Sequence, residues 1–329
     1  MPISKKQIII GITIIIVVVG IIWLTRYSTG TKIVVKNSGM PAASKAIYPA
    51  SALAGLPCEH GTERPLAVMM PSDPEARPLS AIGQADMVFE MPVTDGGVTR
   101  FMAVFQCNEP KEIGPIRSAR VDYIPLVQGL NALYAHFGGE HTALSELDSG
   151  IVDNIDGLKY DGTVYHRVRT RPRPNNAYTN YQEVLAKAKD LAYRFDIPRV
   201  QYPHTEKIAT GTIAPPMSYQ GDYATSWIFD PINNNYKRSR GGRAELDSLT
   251  NKQVAADTVV LMYTGWSPIN KDYIRVTTVG TGKVTIYRDG TVINGTWEKK
   301  SNTAPLRFYD VIRKEIPFAP GLTWVQVII

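Results

Sequence analysis

Cysteine is nearly absent. The 329-residue chain holds two, Cys58 and Cys107, too few for a disulfide scaffold or a thiolate zinc site. Histidine is scarce as well, with five in all, and the one close pair, His136 and His141, spans a Gly-Gly turn rather than a helical metal spacing. No metal and no other cofactor is expected. No glycine loop ends in Gly-Lys-Ser/Thr, no Gly-x-Gly-x-x-Gly follows a strand, and no Gly-x-Ser-x-Gly elbow occurs. The nucleotide-loop, dinucleotide and hydrolase-elbow chemistries therefore lack their sequence supports. Repeats and low-complexity tracts are also missing, which excludes solenoids and propellers. Charged residues make up 20%, with 36 Lys+Arg against 30 Asp+Glu and a net charge of +6. That balance favours anionic partners mildly and selects none, and a basic surface kept for solubility reads equally well.

What is present begins with an apolar run. Residues 8–24 (IIIGITIIIVVVGIIWL) carry no charge and as a helix would cover roughly 26 Å, the lower end of what spans a bilayer. Lys5 and Lys6 precede the run, and Trp23, Arg26 and Tyr27 sit at its far boundary, where amphipathic side chains favour the interface. The run exceeds a signal-peptide core, so an uncleaved single-pass anchor is expected, with the N-terminus inside and the body outside the cytoplasm. An oxidising compartment would let Cys58 and Cys107 pair. Cys58 precedes the apolar run at 64–69 and Cys107 follows that at 101–105, so the thiols would meet if those runs are neighbouring strands.

The expected class is α+β: an N-terminal membrane helix, a mixed α+β first domain and a mostly antiparallel β second domain. Residues 1–30 form the anchor, 31–60 a tether, 61–198 the first domain, 199–222 a Pro- and Gly-containing linker, and 223–329 the second domain. Short β-branched or aromatic runs at 66–70, 86–93, 98–106 and 132–137 read as strands, the middle pair joined by a hairpin over Thr94-Asp95-Gly96-Gly97. A helix is expected after the Gly-Gly turn, at about 142–147. An amphipathic helix is expected over 181–195, with Asn180 and Glu183 forming a capping box. In the second domain, 226–229, 258–263, 274–279, 283–288, 291–297 and 323–328 read as strands of a small antiparallel sheet or barrel. Asp289-Gly290 marks its clearest two-residue turn.

Three features carry chemistry. Glu90 lies within an apolar strand, Met87-Val88-Phe89-Glu90-Met91, where an unpaired carboxylate costs several kcal/mol. A three-residue turn at 95–97 would bring Arg100 to the same face as a partner. The alternative is a carboxyl with a raised pKa, poised as a general acid. Arg167, Arg169, Arg171 and Arg173 recur at every second position, with Pro172 and Pro174 interleaved. An extended chain would show them as one positive stripe, which with Arg117 and Arg120 suits phosphate or carboxylate groups; a solvated face paired with local acids is the bland counterpart. Gly138-Gly139 precedes a helix and offers free N–H groups to an anion, although most such turns are plain connections.

As a set, several segments resemble the YerB-like family of bacterial envelope proteins, described as lipoproteins with a two-part domain of unknown function. In the first part these are Arg64-Pro65-Leu66-Ala67-Val68-Met69, Ala76-Arg77-Pro78, Gln84-Ala85-Asp86, Glu90, Gly96-Gly97-Val98-Thr99-Arg100-Phe101, Ile113-Gly114-Pro115-Ile116-Arg117-Ser118-Ala119-Arg120, His136 with Gly138-Gly139, and Asn176-Ala177-Tyr178-Thr179. In the second they are Tyr236-Lys237-Arg238 with Gly241-Gly242, Gly295-Thr296-Trp297, Arg307-Phe308-Tyr309 and Thr323-Trp324. The resemblance implies a bacterial, extracytoplasmic setting and no settled activity. Three departures stand out: no lipid-accepting Cys follows the apolar run, Asn175 replaces a His before Asn176, and Met70-Pro71-Ser72 replaces a more polar stretch.

Two classes of function follow. In the first, the body binds an anionic or glycan wall ligand, or a wall enzyme, through Arg77, Arg100, Arg117, Arg120, His136, Gly138, Gly139, Arg167, Arg169, Arg171 and Asn176. In the second, it cleaves a peptidoglycan-type glycan with Glu90 as general acid and Asp86 or Asp95 as the second carboxylate. No nucleic-acid partner is expected outside the cytoplasm.

Overall fold

A computed structural model describes residues 48–329 except 96, 198 and 199. The expected membrane segment at 8–24 lies outside the described residues. In chain order the first part forms β1 (Leu66–Pro71), β2 (Met87–Pro92), β3 (Thr99–Phe105), α1 (Ile124–Leu130), β4 (Leu133–His136), α2 (His141–Asp148), β5 (Asn154–Asp156), α3 (Gly157–Tyr160), β6 (His166–Arg167), β7 (Ala177–Tyr178) and α4 (Tyr181–Asp190). The second part forms β8 (Thr225–Asp230), β9 (Asn235–Arg240), β10 (Arg243–Ala244), β11 (Ala255–Ala256), β12 (Thr258–Tyr263), β13 (Trp266–Pro268), β14 (Ile274–Val276), β15 (Gly280–Arg288), β16 (Thr291–Lys299), β17 (Arg307–Asp310) and β18 (Thr323–Ile328). The class is mixed α+β.

One ten-stranded sheet, in the order β17-β16-β15-β12-β18-β2-β3-β1-β4-β5, runs through both parts, and the described residues form one compact unit. The seam is β18 against β2, paired in parallel with Trp324 beside Val88 and Gln326 beside Glu90. This corrects the expectation of a separate small sheet or barrel for the second part. Parallel partners far apart in the chain share no turn, so no local residue pattern announces their pairing.

The sheet is covered on both faces, which is why its central strands are nearly continuous apolar runs. Met69, Phe89, Met102, Val260 and Val325 face one core, together with Ile124, Val127 and Leu130 of α1. Val68, Val88, Phe101, Leu261 and Trp324 face the other. That second face is closed by Val184 and Ala188 of α4 and by Trp227, Phe229 and Tyr236 from the four-stranded sheet of β8 to β11.

Local signals held where they were strong. Asn180 caps α4 by accepting from the Glu183 N–H at 2.8 Å. The helix stops at Asp190, short of 195, because Ala192 takes a φ of +56° and turns the chain away. β1 and β3 are antiparallel neighbours, and the expected disulfide joins Cys58 to Cys107 with Cα atoms 5.5 Å apart.

Candidate functional site

Six strands, β12, β18, β2, β1, β4 and β5, run in one direction, as the chain of pairings requires. Their carboxyl ends, among them Pro92, Pro71, His136 and Asp156, form one edge of the molecule. In open sheets of this kind ligands bind beyond the carboxyl ends of the strands. Arg100 opens the antiparallel β3 opposite Pro71, so it belongs to this edge. The loop after β1 adds Asp73 and Arg77. The segment after β3 returns here, tied by Arg117 N–H to the Met69 carbonyl and by Ala119 N–H to the Gly138 carbonyl. Two clefts open along the edge, one of about 680 Å³ beside Pro92, Tyr219, Tyr263 and Ile328, the other of about 560 Å³ beside Arg77, Arg240 and Arg243.

Glu90 is fully buried. Its carboxylate accepts from Arg238 Nη2 at 2.6 Å, from Arg240 Nη2, from Trp324 Nε1 at 3.1 Å and from Thr99 Oγ1 at 3.1 Å. Burial alone would raise this carboxyl, but Arg238 and Arg240, helped by Trp324 and Thr99, hold it below the ordinary value. Glu245 closes the quartet by pairing with Arg238 and approaching Arg240. Arg238 also lies over the Trp324 ring at 4.3 Å.

The expected Glu90–Arg100 pair is absent. Val93 and Val98 close a four-residue loop rather than a three-residue one, so Glu90 stands opposite Phe101 and Arg100 opposite Met91. A shift of one residue in register moves a side chain to the other face of a sheet. A general acid must hold a proton near working pH and reach its substrate. Glu90 does neither: it is ionised, doubly paired and sealed from solvent. Asp86 does not rescue the catalytic reading, since its buried carboxylate accepts from the Gln106 and Cys107 backbone N–H groups at the opposite edge of the sheet.

The arginine stripe is corrected as well. Residues 168–176 turn instead of extending, closed by the Asn175 N–H on the Pro172 carbonyl. Arg167 pairs with Asp161 at 3.1 Å and with Asn176 Oδ1 at 2.9 Å, over the Phe137 ring. Arg171 is spent on the Ala76 and Pro78 carbonyls at 2.5 and 2.7 Å. Arg169 and Arg173 point to solvent. The Gly138-Gly139 turn offers no open anion nest: Glu140 caps α2 with its own carboxylate, and the Gly138 N–H goes to Asp156 at 2.7 Å. His136 is buried between the Gly138 carbonyl (2.8 Å) and Asn154 Oδ1 (3.1 Å). It positions this loop.

Three of the expected arginines do gather. Arg100 pairs with Asp73 at 3.0 Å. Arg117 reaches the same carboxylate at 3.6 Å and donates to Asn175 Oδ1 at 2.7 Å. Arg120, only 8% exposed, donates to its neighbouring carbonyl on Ala119 and stacks 5.0 Å from the Tyr273 ring centroid. The Nε atoms of Arg100 and Arg120 have no hydrogen-bond partner. Burial, then the repulsion of Arg100, pushes Arg117 down to about 10 against the pull of Asp73. Burial and Arg100 lower Arg120 too. A guanidinium keeps its charge in proteins, so both act as cations. Arg77 flanks the group, donating to the Ser72 and Asp222 carbonyls with its guanidinium 6.0 Å from the Tyr223 ring. Among the described residues no cluster of His, Cys, Asp or Glu is placed to hold a metal ion.

Sequence reasoning missed Arg238, Arg240 and Trp324 as the partners of Glu90. The signal was half present, because a carboxylate in an apolar strand demands a cation. Nothing local says which of the chain's arginines supplies it.

A two-part fold of this kind, with one sheet built from both segments and a buried ion quartet across the seam, defines a class of chain in which neither segment completes its core alone. The chain belongs to the DUF3048 family: residues 53–194 match the "Protein of unknown function (DUF3048) N-terminal domain" and residues 215–325 its C-terminal domain. It is 30% identical over 276 residues to a Bacillus subtilis (strain 168) protein named "Putative lipoprotein YerB", covering 80% of this chain and 81% of that one. It also resembles the crystal structure of YerB protein from Bacillus subtilis, with a TM-score of 0.75 at 27% identity, over 84% of this chain and 96% of the other.

Proposed function

We propose that this is a membrane-anchored, extracytoplasmic protein of the cell envelope whose body binds an anionic wall ligand at Arg100, Arg117 and Arg120. The observation that carries the reading is the charge balance at that point. Three largely buried guanidiniums lie within electrostatic reach of one another, and among the described residues the one carboxylate in an ion pair with them is Asp73, with Glu140 acting on Arg120 from farther off. A buried cation without a partner costs several kcal/mol, and an oxyanion with several lone pairs would offset that cost through bidentate contacts. The setting is supported by the name of the Bacillus relative, by the uncharged run at 8–24 behind Lys5 and Lys6, and by a disulfide made from the only two cysteines, a pairing favoured outside the cytoplasm. Glycan cleavage finds no support, because Glu90 is paired and enclosed.

The test is co-sedimentation of the detergent-solubilised full chain with purified wall, before and after its anionic polymers are removed. Retention that falls with added salt and disappears on the stripped wall is expected. Equal retention on both walls would sink the reading.

A further inference from the structure

A second group of cations faces the 560 Å³ cleft. Gly241 and Gly242, at φ +54° and +73°, make the tight turn that a two-residue hairpin with both centres left-handed requires. The turn sets Arg243 directly across from Arg240. Like charges opposed on neighbouring strands are unfavourable, and Arg77 adds a third cation from across the cleft. Glu90 and Glu245 compensate Arg240, whereas Arg243 is exposed and its side chain has no ion-pair or hydrogen-bond partner among the described residues. Asp222 is the other acid in the lining.

The two cationic groups are joined by one pair of residues. The Tyr223 hydroxyl donates to Asp73 Oδ1 at 3.2 Å, its ring lies under Arg77, and the other oxygen of Asp73 binds Arg100 and Arg117. Going along the edge, one meets Arg243 and Arg77, then Tyr223 and Asp73, then Arg117, Arg100 and Arg120. The midpoint carries an acid and an aromatic ring. The acid is already paired with Arg100 and Arg117, so the Tyr223 ring sets the character of the midpoint, and it suits an uncharged unit.

We infer that the protein binds a linear phosphodiester polymer across both groups, one phosphate at Arg100, Arg117 and Arg120, another at Arg77 and Arg243, and an uncharged linker over Tyr223. This rests on the proposed anion site and extends it from a single charge to a repeating chain. A phosphodiester chain suits the assignment because each repeat carries one charge and an uncharged linker, matching two cationic groups set apart by an aromatic ring, and Arg forks recognise phosphate oxygens in bidentate fashion.

The experiment titrates the full chain in detergent with synthetic poly(glycerol phosphate), with glycerophosphoglycerol as its single-charge diester unit, and with poly-glutamate. Two engaged subsites make the second contact intramolecular, so Arg243→Ala is expected to weaken polymer binding about tenfold or more. The parent should bind two equivalents of the diester unit, Arg243→Ala one, at Arg100, Arg117 and Arg120, and Arg120→Ala one, at Arg77 and Arg243. Arg243 is exposed and unpartnered, so a matching melting curve will show that the variant folds. Parent-like polymer affinity in Arg243→Ala would overturn the two-subsite inference while leaving the anion site standing. Poly-glutamate held as tightly as poly(glycerol phosphate) would overturn the phosphate assignment, and so would tighter binding of a single-stranded oligonucleotide of equal phosphate number overturn an envelope polymer. Failure of the parent to bind any of these anions would remove the anion site itself.

Discussion

Glu90 and Arg238 stand 148 positions apart in the chain, one in each part of the family's domain pair, and their charged atoms meet at 2.6 Å with neither side chain exposed. The contact lies beneath the parallel seam of β2 and β18, so it fastens the two parts where no local signal does.

Replacing Glu90 by Gln should therefore destabilise the fold rather than silence an active site. Removing one partner of a buried pair costs about 3–5 kcal/mol, and here two arginines are left to share Glu245 as their counter-charge. Urea unfolding should show the midpoint falling. An unchanged midpoint would mean that the quartet contributes nothing. The sign with pH follows from the depressed carboxyl. Its contribution is fully present above the ordinary carboxylate value of 4.5 and is lost as pH falls through its lower folded value. The acid limb of the stability curve should flatten in Glu90→Gln.

Asp122 behaves in the opposite sense. Burial pushes its carboxyl up to about 7, against hydrogen bonding from Val276 and the charge of Arg275. The folded state holds this proton more tightly than the unfolded one, so stability from this group is full below 3.8 and is lost as pH rises to about 7. Asp122→Asn should raise the melting temperature at pH 8 and do little at pH 4. Equal gains at both would show that charge is not the cause.

The disulfide closes a loop of 49 residues. Chain entropy puts its worth at about 4 kcal/mol, less any strain. The double variant Cys58→Ser, Cys107→Ser should melt several degrees lower, and reductant should no longer change its melting curve. A parent-like melting temperature would place the stability of this corner in β1 and β3 alone.

Arg169 and Arg120 separate the stripe read from sequence from the cluster seen in space. Arg169 is exposed and Arg120 is 8% exposed. Arg169→Ala should retain wall binding to within about twofold, as surface charges in water contribute little. Arg120→Ala should lose it at low salt. The reverse order in a pull-down would restore the stripe.

By itself the sequence determined what depends on neighbours along the chain. The strands at 258–263 and 323–328, the Asn180 cap, the Asp289-Gly290 turn and the pairing of Cys58 with Cys107 all rest on local propensity or on adjacent strands. It also marked Glu90 as a carboxylate in need of a cation, and Arg100, Arg117 and Arg120 as candidates for an anion. Tertiary structure decided the rest. β9 reads as polar, because Arg238 and Arg240 occupy its inward positions, and only the buried carboxylates of Glu90 and Glu245 make those positions tenable. One residue in the length of the β2–β3 loop turned Arg100 away from Glu90 and toward Asp73. Register, parallel pairing and the choice among many arginines depend on contacts between distant segments, where the free energy of burying a charge is settled by whichever partner the fold brings close.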